Sequence, residues 1–176
     1  LVVPFEGVEK DNIIRHDSTI QKLASLKTVF DKGVNATLTP GNSTSLTDGS
    51  AAVLLASDEW ANKNNLDIES YITSFEIAAV NYIDNEGLLM APAYAVSEML
   101  KKQNLNLQDF DFYEIHEAFA AQTLATINAW KSEEFCKSKL GREKVMGSFD
   151  HNKLNVKGGS LAIGHPFAAT GARIVA

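Results

Sequence analysis

The stretch Gly158-Gly159-Ser160-Leu161-Ala162-Ile163-Gly164-His165-Pro166-Phe167-Ala168-Ala169-Thr170-Gly171-Ala172-Arg173 constrains this chain more than any other. It sets one titratable side chain, His165, among glycines and very small residues, where a loop should turn into a helix. Proline suits the first helical position because its missing N–H is not needed there, and the residue before a proline is driven out of the helical region. The pattern therefore predicts a helix opening at Pro166, with His165 extended just before it. At that place the positive end of the helix dipole favours neutral imidazole, the form a general base requires. The small residues that follow would let the helix pack closely on a neighbour. Read alone, the stretch is equally a glycine-rich connection with a histidine on its surface.

Composition narrows the class around this stretch. A length of 176 residues allows one domain, or a domain and a piece. With 45% hydrophobic and 22% charged residues the chain can bury a sizeable core. A net charge of −6 argues against nucleic acid or an anionic membrane surface as a partner. No apolar run approaches the roughly 20 residues that span a bilayer, so no transmembrane segment is expected. The single cysteine, Cys136, excludes an internal disulfide and suits a reducing compartment. Its place in the polar stretch 131–153, between Phe135 and Lys137, predicts a surface or half-buried thiol without a catalytic role. Four histidines and one cysteine argue against a structural zinc site; His16 and His151 read as solvated. The chain starts at Leu1 and stops at Ile174-Val175-Ala176 inside a helical run, as a fragment of a longer protein would.

Taken in order, residues 2–4 read as a short strand. Ile20, Leu23, Leu26 and Phe30 form a helical stripe over 19–30, stopped by Asp31-Lys32-Gly33. Residues 36–39 are β-like, 40–43 a turn, and 50–56 a strand buried on both faces. Asp58 can cap a short helix to Lys63, and residues 62–67 are the best domain boundary. Tyr71, Thr73, Phe75 and Ile77 alternate, predicting a strand over 70–80. A loop at 85–87 leads to a helix opened by Pro92, with Val96, Met99 and Leu100 on one face. A strand over 110–115, a helix over 118–130 and a short helix within 132–140 follow. The β, α, β, α order predicts an α/β domain with helices packed on a sheet.

Two further constellations can carry chemistry. His116-Glu117-Ala118-Phe119-Ala120 falls where a strand gives way to a helix, the place where ligands gather in α/β sheets. His116 could donate a hydrogen bond to a carbonyl oxygen as charge develops on it, and Glu117 could orient a water or the imidazole. The same residues could equally cap a helix while Phe119 fills the core. The loop Thr39-Pro40-Gly41-Asn42-Ser43-Thr44-Ser45-Leu46-Thr47-Asp48-Gly49 offers hydroxyl and backbone groups to a polar ligand, although its composition is also ordinary turn chemistry.

Jointly these segments resemble the thiolases, which cleave or form 3-ketoacyl-coenzyme A. Gly158 to Arg173 resembles the signature around the family's catalytic Gly-His-Pro, and His116 to Ala120 its Asn-Glu-Ala-Phe-Ala element with histidine in place of asparagine. Thr39 to Ala52 resembles its Ala-Gly-Asn-Ala-Ser…Asn-Asp-Gly-Ala-Ala segment, and Arg15 to Phe30 the stretch before it. The His-Glu-Ala-Phe-Ala form is similar to the fatty-acid-oxidation branch.

The resemblance implies an α/β thiolase fold, a layered mixed sheet with helices on both faces. Residues 1–58 would end the N-terminal domain, and 59–176 would supply an incomplete C-terminal one. It implies an acetyl-CoA C-acyltransferase acting through a cysteine acyl-enzyme, with coenzyme A as co-substrate and no covalently bound cofactor. His165 would be the base toward the nucleophilic cysteine, and His116 would replace the asparagine that serves an oxyanion hole through water. Thr44, Phe30, Phe119 and Gly164 would line the coenzyme A and thioester side. The two cysteines of the family's chemistry have no counterpart here, so the fragment alone should be inactive. Leu88-Leu89-Met90-Ala91-Pro92-Ala93 departs from the family's Met-Gly-x-Gly-Pro segment, which bears on acyl-chain preference. The implied partners are acyl-CoA and coenzyme A, a second copy in a homodimer, and a hydratase/dehydrogenase subunit; the implied compartment is a bacterial cytoplasm or an organellar matrix. A non-catalytic lipid-carrier or scaffold subunit of the same fold is the alternative.

Overall fold

The computed structural model describes residues 3–84 and 86–176. Among them seven α-helices follow in order: α1 (Ile20–Ala24), α2 (Asp58–Lys63), α3 (Ala91–Gln103), α4 (Ala120–Lys131), α5 (Glu133–Ser138), α6 (Ser160–Ile163) and α7 (Thr170–Val175). Single 3-10 turns occur at Tyr82–Asp84 and His151–Lys153. Leu1, Val2 and Asn85 lie outside the described residues, and with them part of the strand expected at 2–4 and of the loop at 85–87.

The helices with strong local signals form close to where the pattern places them. Pro92 stands in the first turn of α3, and Asn104, in the left-handed conformation at φ 52°, ends it. Ala93, Ser97 and Leu100 of α3 are buried, while Val96 and Met99 of the expected face pack partly covered against the core. Ser57 rather than Asp58 caps α2, its hydroxyl accepting from Trp60 N at 3.3 Å. Ser132 caps α5 by accepting from Phe135 N at 3.1 Å. Helix α1 covers only five of the residues expected over 19–30. None of its residues is buried, and the Ser25 hydroxyl donates to Lys22 O at 2.8 Å. A short helix without a packed face has little to sustain it against such local competition.

The core lies between residues 93 and 149. It consists of Ala93, Leu100, Leu107, Ile127, Ala129, Trp130, Cys136, Leu140, Met146 and Phe149. Trp130 joins α4 to α3 by donating its Nε1–H to Ala93 O at 3.2 Å. Arg142 ties the loop after α5 to α3, with Nε 2.8 Å from Ser97 Oγ and a terminal nitrogen 2.6 Å from Ser97 O. Cys136 corrects the sequence reading: it is 1% exposed, because α5 folds back along α4 and turns the thiol toward Trp130 O, 3.3 Å away. His16 and His151 are exposed, as expected.

The layered sheet that the resemblance implies is not formed among the described residues. Among the described residues β-pairing is limited to four isolated bridges: Phe5 with Val8, Ser43 with Phe119, Leu46 with His165, and Tyr113 with Leu154. Segment 50–56, read as buried on both faces, exposes Leu54 and Leu55. Segment 70–80 does alternate, but with its faces inverted. Phe75 and Ile77 are 79% and 82% exposed, whereas Glu76 and Ala78 are partly covered and Glu76 pairs with Lys102. Neither segment makes a backbone hydrogen bond to another strand among the described residues, and an extended segment without a neighbour has no ladder to join.

Segment 110–115 keeps one parallel rung, from Tyr113 N to Lys153 O at 2.9 Å and from Asn155 N to Tyr113 O at 2.8 Å. Asn155 then turns left-handed at φ 49°, and its side-chain amide supplies the next rung. Ile115 N donates to Asn155 Oδ1 at 2.9 Å, and Asn155 Nδ2 donates to Ile115 O at 3.0 Å.

Candidate active site

Residues 42–46 of the hydroxyl-rich loop hold two histidine-bearing segments, one on either side. On one side Thr44 N donates to Ala118 O and Ala120 N donates to Asn42 O, both at 2.9 Å. On the other, His165 N donates to Ser45 O at 2.8 Å. These bonds bring the end of segment 110–115 beside the end of α6. The rings of His116 and His165 lie with centroids 4.2 Å apart, inclined by 45°. The Thr44 hydroxyl closes the arrangement by donating to Ser160 O at 2.7 Å.

Each imidazole has its own hydroxyl partner at Nδ1. His116 Nδ1 lies 2.8 Å from Ser160 Oγ, and His165 Nδ1 lies 2.7 Å from Thr170 Oγ1. The ring of Phe167 covers His165 at 4.7 Å. Burial, first, and then the neighbouring His165 and Arg173 hold His116 below its ordinary pKa of 6.5, with only Glu117 acting the other way. The fold therefore favours the neutral form of the His116 ring.

The helix expected at Pro166 begins four residues later. Gly164 ends α6, His165 is extended, and the Pro166 carbonyl receives Ala169 N at 3.1 Å and Thr170 N at 3.2 Å. Ala168 sits at φ 65°, a left-handed conformation that interrupts a helical run. The helix dipole invoked for His165 thus loses its geometric basis. Gly164 is itself required: it is buried at φ 85°, and a methyl group there would collide with Thr47.

Glu117 also differs from expectation. Its carboxylate accepts from Asn155 Nδ2 at 2.7 Å and from Leu161 N at 3.2 Å, so it braces the α6 entry instead of orienting a water or an imidazole. A side chain at Gly159 would occupy the space of that carboxylate.

Phe30 and Phe119 meet edge to face with centroids 5.5 Å apart. His116, His165, Thr44, Phe30, Phe119 and Gly164 therefore fall in one connected neighbourhood, while Cys136 belongs to the α4–α5 core. Among the described residues no group of three or more His, Cys, Asp or Glu side chains converges as metal ligands do. Four residues around the histidines had no assigned role in the sequence reading: Ser160, Thr170, Arg173 and Asn155. Ser160 and Thr170 reach the rings, Asn155 reaches Glu117 and Arg173 reaches Ser160, and the sequence pattern carries no signal for these contacts.

Residues 66–176 match the thiolase C-terminal domain and residues 3–59 the thiolase N-terminal domain. The chain belongs to the thiolase family. It is 45% identical over 173 residues to the 3-ketoacyl-CoA thiolase of Pseudoalteromonas translucida, and 46% identical over 175 residues to that of Aeromonas salmonicida. These alignments cover 98% and 99% of the chain but 39% of each relative, so the chain spans about two fifths of the length of the curated thiolases it matches. Among solved structures it is similar to the dimeric peroxisomal thiolase of Saccharomyces cerevisiae, at 37% identity and a TM-score of 0.77, covering 96% of this chain and 37% of that one. A human mitochondrial 3-ketoacyl-CoA thiolase in complex with CoA gives 31% identity and a TM-score of 0.72, with the same coverages. This thiolase chain accordingly has the α/β thiolase fold, with its extended segments paired only through isolated bridges among the described residues. No helix among those residues is long and apolar enough to cross a membrane.

Proposed function

We propose that the protein this chain represents transfers acyl groups between 3-ketoacyl-CoA and coenzyme A through a cysteine acyl-enzyme. The observation that carries the reading is the pair of imidazoles at 4.2 Å, each engaged at Nδ1 by a different hydroxyl, in a chain of the thiolase family. The reaction is ping-pong. A cysteine thiolate attacks the ketone carbonyl, the bond between C2 and C3 breaks, and acetyl-CoA leaves after its C2 carbanion takes a proton. A second coenzyme A thiol then attacks the acyl-enzyme thioester and restores the cysteine.

His165 serves as the base that takes the proton of that cysteine, and both rings face the oxygen on which charge develops. Phe30, Phe119, Thr44 and Gly164 form the coenzyme A side of the site; the edge-to-face aromatic pair offers an apolar wall, and Gly164 lets Thr47 pack directly on the backbone beside His165. Residues 1–58 end the N-terminal domain and 59–176 make most of the C-terminal one, a division supported by the separate family matches over 3–59 and 66–176. In the thiolase fold the extended segments join a layered mixed sheet. The working unit is a homodimer, as the yeast relative is described, able to dock a hydratase/dehydrogenase subunit, in a bacterial cytoplasm or an organellar matrix.

The test is thiolysis of acetoacetyl-CoA by the protein from the complete reading frame. We expect turnover, with His165→Ala lowering kcat by about 10²–10⁴-fold. The 176-residue chain, which carries Cys136 alone, should show none. Protection against thermal unfolding by coenzyme A without any turnover of the complete protein would instead favour a non-catalytic carrier of the same fold.

A further inference from the structure

We propose that Ser160 and Thr170 hold the two imidazoles in opposite neutral tautomers, His116 with its proton on Nε2 and His165 with its proton on Nδ1. The argument is an accounting of hydroxyl protons. A serine hydroxyl has one proton to give and two lone pairs to receive, whereas a guanidinium only gives. Ser160 is fully buried, at 0% exposure. Arg173 donates to its Oγ at 3.2 Å, which occupies one lone pair. The other polar atom in reach of Oγ is His116 Nδ1, at 2.8 Å.

If Nδ1 carried the ring proton, both neighbours would donate to Oγ. The hydroxyl proton would then have no acceptor, in a position closed to water. Buried donors are rarely left in that state because their desolvation is uncompensated. The Ser160 hydroxyl therefore donates to Nδ1, and the proton of His116 resides on Nε2.

Thr170 differs from Ser160 in having a second acceptor. Its Oγ1 lies 3.3 Å from Pro166 O, the back-bond to the carbonyl four residues earlier, and 2.7 Å from His165 Nδ1. No other donor reaches Oγ1 among the described residues. The arrangement that uses both contacts sends the hydroxyl proton to Pro166 O and lets Oγ1 accept from Nδ1–H, leaving the Nε2 lone pair of His165 free. Neither Nε2 has a protein partner among the described residues. One ring thus presents a donor at its free nitrogen and the neighbouring ring an acceptor. The burial and the flanking Arg173 and His165 that depress the pKa of His116 act in the same direction, keeping that ring neutral.

The catalytic consequence rests on the acyl-transfer reading above; the tautomers do not. In that reaction the Nε2–H of His116 donates to an oxyanion, and Nε2 of His165 accepts the cysteine proton. Ser160 and Thr170 are positioning residues, with Arg173 setting the direction of the Ser160 hydrogen bond.

The two ring nitrogens of a histidine give separate ¹⁵N resonances whose positions report which one is protonated. We would record long-range ¹H–¹⁵N correlation spectra of the 176-residue chain labelled at its histidines, well above pH 6.5, with His116→Asn and His165→Asn spectra to assign the rings. The expected result is the Nε2-protonated pattern for His116 and the Nδ1-protonated pattern for His165. A His116 protonated on Nδ1, or both rings in one tautomer, overturns the proposal, and the unmutated chain suffices to decide. Ser160→Ala should move His116 toward an averaged pattern. Thr170→Val should do the same to His165, while Thr170→Ser preserves it; an unchanged His116 pattern in Ser160→Ala removes Ser160 from the role. In the complete protein Ser160→Ala should lower kcat about 10- to 100-fold with KM for coenzyme A unchanged. Opposite tautomers without thiolysis would refute the acyl-transfer reading alone, and thiolysis with identical tautomers would refute this proposal alone.

Discussion

Residues 3–84 and 90–154 have similar apolar content to offer and use it in opposite ways. In the second region Trp130, Ile127 and Leu100 disappear into one cluster between α3, α4 and α5. In the first, Leu54, Leu55, Phe75 and Ile77 stand exposed, and only Ser43 and Ala61 are buried. The difference is one of partners, not of hydrophobicity. A helix satisfies its backbone internally and needs one neighbour for its apolar stripe, and α3 and α4 find each other as consecutive helices, joined by the bond from Trp130 to Ala93. A strand needs a neighbour for its backbone as well as for each face, and segments 50–56 and 70–80 have none among the described residues. The chain spans about two fifths of the length of the curated thiolases it matches.

The contrast can be broken by mutation. Trp130→Ala should cost about 3–5 kcal/mol in denaturant unfolding, the range for a large buried side chain that leaves a cavity, and Trp130 also loses its bond to Ala93 O. Little or no loss would mean that the 90–154 cluster is not the stabilising unit. A smaller effect is expected at the seam between that cluster and the histidines. Asn155→Ala removes the side-chain rung to Ile115 and the bond to Glu117, and should cost about 1–3 kcal/mol by thermal melting.

A finer test concerns pH. His116 is held below 6.5 in the folded chain, so both states are neutral above that value and stability is complete there. As pH falls below 6.5 the unfolded chain protonates first, and stability drops until the lowered folded value is passed. Glu114, raised above its ordinary 4.5 by burial, works in the opposite sense and gains stability on acidification. Comparing His116→Asn with the parent isolates the histidine: the variant should lose less stability between neutral and mildly acidic pH, and parallel curves would show that the ring is not desolvated.

The smallest expected effect is at the exposed segments. Leu54→Ala and Ile77→Ala should each change stability by no more than about 0.5 kcal/mol. Amide exchange should separate the regions as well, with α3 and α4 protected and segments 50–56 and 70–80 exchanging rapidly. Strong protection at residues 70–80 would reveal pairing that the bridges do not include.

Legibility in the sequence followed the range of the interactions. Helices α2, α3 and α5 are legible because polar capping residues, Pro92 and apolar spacing act within one or two turns, although the cap of α2 is Ser57 and not Asp58. Strand alternation at 70–80 was readable too, but not which face would be covered, since that depends on where α3 comes to lie. The helix after His165 starts four residues beyond Pro166 because Ala168 adopts a left-handed conformation that its side chain does not advertise. The polar stretch around Cys136 suggests exposure, but the return of α5 onto α4 sets its environment and buries it.

By itself the sequence determined the family resemblance, the two histidine motifs, the hydroxyl-rich loop and the principal helices, all properties carried by residue identity and short spacing. The tertiary structure alone decided that residues 42–46 bind both histidine segments, that the rings stand 4.2 Å apart, and that a buried serine faces one ring while a threonine faces the other. Except for the Thr170 contact, five residues from His165, those relations depend on hydrogen bonds between segments distant in sequence. A stretch that began as one histidine among glycines is, in the fold, half of a pair whose two members differ in chemistry because their hydroxyl partners differ in acceptors.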